Sequence, residues 1–195
     1  MKLNVKNKKT IIAAAVLIVA IAVTITLILV LGGGAKKEKL SDYYAQSMTT
    51  VKKVTEVSEI KSGDTQVYGK NAVLTFKSGD NAEIVTTEKK LNDYKMDFET
   101  DTVTEEGEID RSALVVISFD LSVFESDYTF KKGEFTGKVK AENLGKLFAG
   151  SAPQAEGDVT VKAKFTGKKI ASVNYEYTTK TDRTVSVAIE YDYNA

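Results

Sequence analysis

The fold of this chain is decided by one hairpin sequence, KIASVNYEYTTKTDRTVSVAIEYDYN, residues 169–194. Apolar and polar residues alternate on both sides of its turn, TKTDR, and this is the period of a half-buried β-strand. Pairing the two runs across the turn sets Val173, Tyr175 and Tyr177 against Ile189, Val187 and Val185. The opposite face of the hairpin is left to water and carries Asn174, Glu176, Thr184 and Ser186. The hairpin therefore predicts an antiparallel sheet with one wet face.

The same period of two recurs along most of the chain after about residue 56. It is clearest in residues 113–123, and it returns in the shorter run Tyr94, Met96 and Phe98. Clusters of Gly, Asp, Lys and Glu separate the runs and have the composition of turns. Further strands are predicted over about 66–77, 82–88, 128–131, 134–140, 158–166, 169–178 and 184–193.

Two segments follow a helical period instead. The residues Leu40, Tyr44, Met48 (or Ser47), Val51 and Val54 recur every three or four positions, which predicts an amphipathic helix over about 39–54. Residues 141–149, AENLGKLFA, predict a short helix before the final strands. The predicted fold class is α+β and mainly β: an antiparallel curved sheet or half-barrel with an N-terminal helix and a short helical insertion, preceded by one transmembrane helix.

The N-terminal segment predicts the domain organisation. Residues 11–31, IIAAAVLIVAIAVTITLILVL, carry no charge and are long enough to span a bilayer as a helix. We interpret residues 1–10 as a basic cytoplasmic tail, 11–31 as a transmembrane signal anchor, 32–39 as a Gly/Lys hinge and 40–195 as an extracytoplasmic β-rich domain. A cleaved signal peptide, with cleavage after Ala35, is the alternative, but its apolar region is usually shorter.

Composition excludes several classes of function. The four lysines before residue 11 are the only charges in residues 1–35, so the remaining 160 residues carry 23 basic and 27 acidic side chains, a net charge of −4. Such a domain is not expected to bind nucleic acid. The chain has no Cys and no His, so we expect no disulfide, no metal site built on these ligands and no cofactor. Glu105, Glu106 and Glu108 could form a weak surface cation site, although a solvated face explains them better.

Chemistry is not indicated by any motif. A Ser or Thr nucleophile would need a Lys or carboxylate base in place of His, and no nucleophile elbow or S-x-x-K helix occurs in a suitable setting. We therefore expect no catalytic residues and no enzymatic activity.

The residues most suggestive of a site are apolar ones in strands that are apolar on both sides. Leu114 and Val116 point opposite to Val115 and Ile117, so something must cover both faces of that strand. The predicted helices could cover them and close the core. Alternatively, a curved sheet could hold an apolar ligand in its concave side. The predicted lining is then Met96, Phe98, Leu114, Val116, Ile117 and Phe119.

The C-terminal half resembles the lipoprotein-carrier family of LolA and LppX type. The similar stretches are DYTFKKGEFTGKVKAENL, GDVTVKAKFTGKKIASVNYEYTT and RTVSVAIEYDYN, and the shared order of elements covers about residues 40–194. The resemblance implies a half-barrel that binds the acyl chains of lipids or lipoproteins in its concave face. This chain differs in having a spanning anchor and no lipobox Cys, which favours a tethered protein over a shuttling carrier.

The expected function is a membrane-anchored, extracytoplasmic protein that binds a hydrophobic or lipidic ligand without catalysis. The alternative is a cell-surface structural or protein-interaction module with a closed core. The expected location is the cell membrane, with a single pass, the N-terminus in the cytoplasm and the C-terminal domain outside. The expected partners are the membrane, through residues 11–31, and an apolar ligand.

Overall fold

The structure is a computed structural model and describes residues 36–79, 81–92, 97–109, 123–124, 128–147 and 154–194. It begins with helix α1, Lys36–Thr50. Leu40, Ser47 and Met48 of this helix are buried, as is Val51 just after it. These positions are separated by about two and three helical turns, so they form one stripe that faces the rest of the protein.

Nine strands follow within the described residues, all paired antiparallel in a single sheet. Their bounds are β1 Lys53–Ser62, β2 Thr65–Ser78, β3 Asn81–Asn92, β4 Asp97–Glu108, β5 Tyr128–Lys131, β6 Glu134–Val139, β7 Val159–Thr166, β8 Lys169–Thr178 and β9 Arg183–Asp192. Between β6 and β7 lie a 3₁₀ turn, Ala141–Asn143, and the one-turn helix α2, Leu144–Leu147.

The sheet consists of two meanders joined in its middle. Its strand order is β4-β3-β2-β1-β9-β8-β7-β6-β5. The junction is the pairing of β1 with β9, which sets Val54 opposite Tyr191 and Ile60 opposite Val185. The strands that come first and last in sequence are therefore central, and β4 and β5 lie at the two ends of the order.

The hairpin that opened the sequence analysis has the register predicted for it. Val173 is paired with Ile189, Tyr175 with Val187 and Tyr177 with Val185, and all six side chains are buried. On the other face, Asn174 and Glu176 are exposed, and Thr184 and Ser186 are partly exposed. Alternation and turn length specified this register correctly, because a shift by one residue would have exposed the whole apolar set.

The two faces of the sheet differ sharply. The covered face is the one that carries Val54, Leu74, Ile84, Val161, Val173 and Ile189, which are all buried and belong to one hydrophobic cluster. The open face is the one that carries Val57, Lys162, Asn174, Glu176 and Ser186. Polar side chains dominate the open face because water solvates it.

Helix α1 packs on the covered face across β8. Ser47, which has no exposed surface, accepts a hydrogen bond at its Oγ from the backbone N–H of Ile170 at 2.8 Å and donates to the carbonyl of Tyr43 at 2.6 Å. The hydroxyl of Tyr193 donates to the carbonyl of Ile170 at 2.7 Å. Polar groups of the β8 backbone are thus satisfied by side chains from the helix and from the segment after β9.

Aromatic rings complete the covered face toward β5 and β6. Phe124 meets Phe135 edge to face with ring centroids 4.9 Å apart, and Tyr128 stacks on Phe135 at 5.7 Å. Phe130 contacts Phe165 at 5.5 Å. These are the separations that favour ring pairs in a packed core.

The predicted fold class is wrong and is corrected as follows. The described part of the chain is a mainly β, open sheet of nine strands with one helix longer than a single turn, in place of the predicted α+β curved sheet or half-barrel. The predicted transmembrane helix, residues 11–31, lies outside the described residues. Among the described residues the sheet does not close, because β4 and β5 lie at opposite ends of the strand order and do not pair with each other. No helix within the described ranges is long and apolar enough to cross a membrane.

Element by element, most predicted strands lie within one or two residues of the observed ones. The N-terminal helix ends at Thr50, short of the predicted residue 54, because Val54 belongs to β1 and pairs with Leu74 and Tyr191. Of the other predicted segments, residues 1–35 and most of the strand at 113–123 lie outside the described residues, as do Phe148 and the loop around Pro153.

Candidate functional site

The most unusual polar group of the covered face is the hydroxyl of Tyr191. Tyr191 lies on β9, only 7% exposed, and its hydroxyl has no hydrogen-bond partner in the part of the chain that the structure describes. Leaving a buried hydroxyl unpaired costs about 1–3 kcal/mol. Buried polar groups in native proteins nearly always have a hydrogen-bond partner, which can be a water molecule or a ligand atom.

Other phenol groups and one carboxylate lie near enough to influence this hydroxyl electrostatically. We call Tyr44, Tyr175, Tyr191 and Glu56 the tyrosine cluster: Tyr44 comes from α1, Tyr175 from β8 and Glu56 from β1. Burial is the main cause that raises the pKa of Tyr191, and electrostatic contributions from Tyr44, Tyr193, Glu56 and Tyr175 act in the same direction. The cluster therefore lies where helix and sheet meet.

Burial likewise raises the pKa of Tyr175, with a further contribution from Glu56. Burial alone raises the pKa of Tyr177, next to it on β8, to about 12. Because these phenols stay neutral at any physiological pH, the hydroxyl of Tyr191 is a permanent hydrogen-bond donor in an apolar setting.

A charged network borders the tyrosine cluster on β1, β2 and β3. Lys70, whose side chain is 10% exposed, donates to the carboxylate of Glu56 at 3.2 Å. Tyr68 donates to Glu88 at 3.0 Å, and Lys90 lies 2.7 Å from the other oxygen of Glu88. The hydrogen bond from Lys90 is the main cause that lowers the pKa of Glu88, and Tyr68 adds to it.

The covered face thus changes character across the sheet. It is apolar beneath α1 and on β7 to β9, and it carries paired charges on β1 to β3. The tyrosine cluster stands at the boundary. Sequence reasoning missed both the tyrosine cluster and the charged network beside it. The network forms only through the pairing of three strands, which sets Glu56 opposite Ala72 and Lys70 opposite Glu88. Alternation of polar residues on these strands was visible but indicated only a wet face.

Of the six predicted lining residues, the structure describes one. Phe98 lies on β4, is 41% exposed and pairs with Leu91 on the open face. The others lie outside the described residues: Met96, Leu114, Val116, Ile117 and Phe119. The predicted lining as a set therefore stays a prediction.

The acidic strand β4 does not assemble a cation site in the described residues. Glu106 is bound by Lys77, whose Nζ lies 2.7 Å from it and 3.1 Å from Glu83. Nowhere among the residues placed by the structure do three or more carboxylates gather in a way that could hold a metal ion.

No protein-family model matches the chain, and no curated protein matches it. Among solved structures, LprF from Mycobacterium bovis aligns over 80% of this chain and 90% of its own, with 11% identity and a TM-score of 0.38. The dehydratase domain from the CurK module of curacin polyketide synthase aligns over 74% of this chain and 75% of its own, with 7% identity and a TM-score of 0.19. TM-scores this low decide neither the fold nor the function, and the resemblance to the lipoprotein-carrier family stays a prediction.

Proposed function

We propose that the protein is a non-catalytic binding protein whose ligand is hydrophobic or lipidic and lies against the covered face of the sheet beneath α1. The observation that carries the proposal is the buried, unpartnered hydroxyl of Tyr191. A ligand oxygen that accepts from this hydroxyl would remove the cost of leaving it unpaired.

The surroundings of Tyr191 select an amphiphile. Tyr191 lies on an apolar face with Val173 and Ile189, which are packed within the protein, so a hydrocarbon chain entering here would have to displace packed apolar side chains and would take over their contacts. The polar end of the ligand is best an uncharged acceptor such as an ester or amide carbonyl. An anionic group would meet the carboxylate of Glu56, and Lys70 is already engaged with that carboxylate.

The first test is the composition of the purified protein. The full chain is extracted from membranes in a mild detergent, and an organic extract of it is analysed by mass spectrometry. We expect one amphiphile of defined class at close to one molecule per chain. Protein that is folded and free of any such molecule would overturn the proposal.

Tyr191→Phe makes the test specific to the site. The change keeps the ring and removes only the hydroxyl, so we expect less ligand per chain after the same washing procedure. Tyr128→Phe is the matched control, since Tyr128 stacks on Phe135 at the far end of the sheet. Equal ligand content in the two variants would remove Tyr191 from the site even if a lipid were found.

A second candidate is the closed-core interaction module. It is supported by the complete burial of Val159, Val161, Ile170 and Val173, each with no exposed surface. In a closed core, Tyr191→Phe would raise the free energy of unfolding by about 1 kcal/mol, because it deletes an unpaired hydroxyl. A more stable, lipid-free variant therefore favours the closed core, and a variant that loses ligand favours the binding protein.

The location is proposed separately. We propose that residues 11–31 hold the chain at the cell membrane and that residues 40–195 stand outside the cytoplasm, on the strength of the uncharged run and the lysines before it. Protease added to intact cells should then cleave the sheet domain and leave cytoplasmic proteins untouched. A domain that resists protease in intact cells and is digested only after lysis would contradict this location.

A further inference from the structure

The open face of the sheet contains a cleft that the proposed function does not use. Its volume is 560 Å³, and it crosses the four adjacent strands β7, β8, β9 and β1. Ligand sites in proteins typically have volumes of about 300–1,000 Å³. The cleft lies on the opposite side of the sheet from Tyr191, so a ligand here would be a different one.

One row of residues across the cleft is rich in hydrogen-bonding groups. The register of the sheet sets Thr160 opposite Glu176, Glu176 opposite Ser186 and Ser186 opposite Glu59. Neighbouring strands lie about 4.8 Å apart, so the two carboxylate-bearing positions are about 10 Å apart with a hydroxyl between them. This row presents four acceptor groups in a line perpendicular to the strands.

A second row runs beside the first, two residues further along each strand. Here Lys162 lies opposite Asn174, Asn174 opposite Ala188 and Ala188 opposite Val57. Val57 is 43% exposed, although it is apolar. The row therefore offers donors at its β7 end and an apolar surface at its β1 end.

The polar groups of the cleft are not used up by one another. Among the described residues, no hydrogen bond or ion pair engages the side chains of Thr160, Lys162, Asn174, Glu176 or Ser186. Glu59 has only an exposed ion pair with Lys61 at 3.6 Å. Donors and acceptors that face solvent without internal partners can bind a ligand by releasing only the water bound to them.

The charges of the cleft favour a neutral ligand. The lining mixes both signs, with Glu59 and Glu176 in one row and Lys162 in the other, so no ligand of a single charge is complementary to the whole cleft. A ligand that carries several hydroxyl groups can bind to charges of both signs. Each hydroxyl can donate to a carboxylate and accept from an ammonium or amide group. The C–H faces of such a ligand can rest on Val57 and Ala188.

We infer that this cleft binds a neutral oligosaccharide, laid across the strands so that its hydroxyl groups meet Glu176, Asn174 and Lys162. The length of the cleft over four strands suits an extended ligand better than a single compact molecule. A site of this kind on the open face leaves the covered face free for the amphiphile.

The test uses the full chain in a detergent without a sugar headgroup. Maltohexaose, cellohexaose and chitohexaose are each titrated and followed by saturation-transfer NMR and by calorimetry. We expect one of the three to bind, and Glu176→Gln and Asn174→Ala each to weaken its binding by about tenfold, the loss of one good hydrogen bond. Thr104→Ala is the control, since Thr104 lies on the open face of β4 outside the cleft.

Each other outcome overturns the inference. Absence of binding by all three sugars at millimolar concentration would do so. Binding that Thr104→Ala weakens as much as Glu176→Gln would place the sugar elsewhere. Tighter binding of oligolysine or oligogalacturonate would show that the cleft selects a charge. The ligand content of the covered face, measured by lipid extraction, should be unchanged in Asn174→Ala, so failure here is distinct from failure of the proposed function.

Discussion

Strands β7 and β4 belong to the same sheet, but they differ in what surrounds them. On β7, Val159, Val161, Ala163 and Phe165 are buried and alternate with polar residues. On β4, eleven of the twelve residues are exposed and the remaining one is partly exposed. Val103 lies on the same side of the sheet as Val161, through its pairing with Thr86, and is nevertheless 47% exposed.

The difference shows that alternation and burial are separate properties. Alternation decides which side chains share a face, and it follows from the backbone of a strand alone. Burial requires a second layer, and here α1 supplies it over β8. The comparison between β7 and β4 can be tested by making the same substitution on both strands.

The largest effect is expected for Val161→Asp against Val103→Asp. A carboxylate without a partner at the fully buried Val161 should lower the free energy of unfolding by at least about 4 kcal/mol, and the exposed Val103 should tolerate it within about 0.5 kcal/mol. Urea unfolding followed by circular dichroism measures both.

The cost of Val161→Asp is comparable to the whole stability of a small domain, so Val161→Ala serves as a milder variant that stays folded. It should cost about 2 kcal/mol by leaving a cavity. Equal sensitivity of positions 161 and 103 would show that the covering layer extends to β4.

Glycine to alanine substitutions give the second pair. A methyl group added at Gly137 on β6 would lie 2.5 Å from a ring carbon of Phe124 and 2.8 Å from one of Phe135. Gly137→Ala should therefore cost about 3 kcal/mol, the upper part of the range for overpacking. The space around Gly107 on β4 is open, so Gly107→Ala should be neutral or stabilising. Thermal unfolding of the two variants measures the difference in stability. An unchanged stability in Gly137→Ala would mean that these rings move aside freely.

The contact between helix α1 and strand β8 gives the third test. Ser47→Ala removes the acceptor of the Ile170 N–H and leaves that group buried without this partner, at a cost of about 2 kcal/mol. Thr49→Ala, on the exposed side of the same helix, should change stability little. Hydrogen exchange should accelerate at Ile170 in the first variant only. Unchanged protection there would contradict the role assigned to Ser47.

The smallest effect is expected for the charged network. The pKa of Glu88 is lower in the folded chain, mainly through Lys90, so its contribution to stability is present above the ordinary carboxyl pKa and is lost as the pH falls through the lowered value. After screening by solvent it should amount to less than about 1 kcal/mol. Glu88→Gln should flatten the acid side of the plot of unfolding free energy against pH. Parallel plots for the two proteins would show that the network contributes nothing to folding.

The hairpins were predictable because they are local. In β8 and β9 the alternation, the length of the turn and the aromatic residues all specify one register, and the structure has it. The helix was predictable but not its end, since Val54 fits a helical spacing of three from Val51 and also a strand spacing of two toward Glu56. Pairing with Leu74 and Tyr191 decided between them.

The candidate sites were not predictable to the same degree. The open-face cleft combines four strands, of which β1 and β9 are separated by most of the domain in sequence. The buried hydroxyl of Tyr191 is also invisible in the sequence, where Tyr191 is one more member of an alternating run. Both depend on which strands become neighbours.

The sequence by itself determined most of the strands after β1, their turns, the two faces of the β8–β9 hairpin and the approximate position of the N-terminal helix, because these follow from residue periodicity and from turn residues within a few positions. Only the tertiary structure decided that β1 joins β9, that the sheet stays open and that Tyr191 is enclosed beside Glu56. A period of two specifies the face of the sheet on which a side chain lies, but it does not specify the residue beside it on the next strand. That residue is determined by the packing of the whole chain.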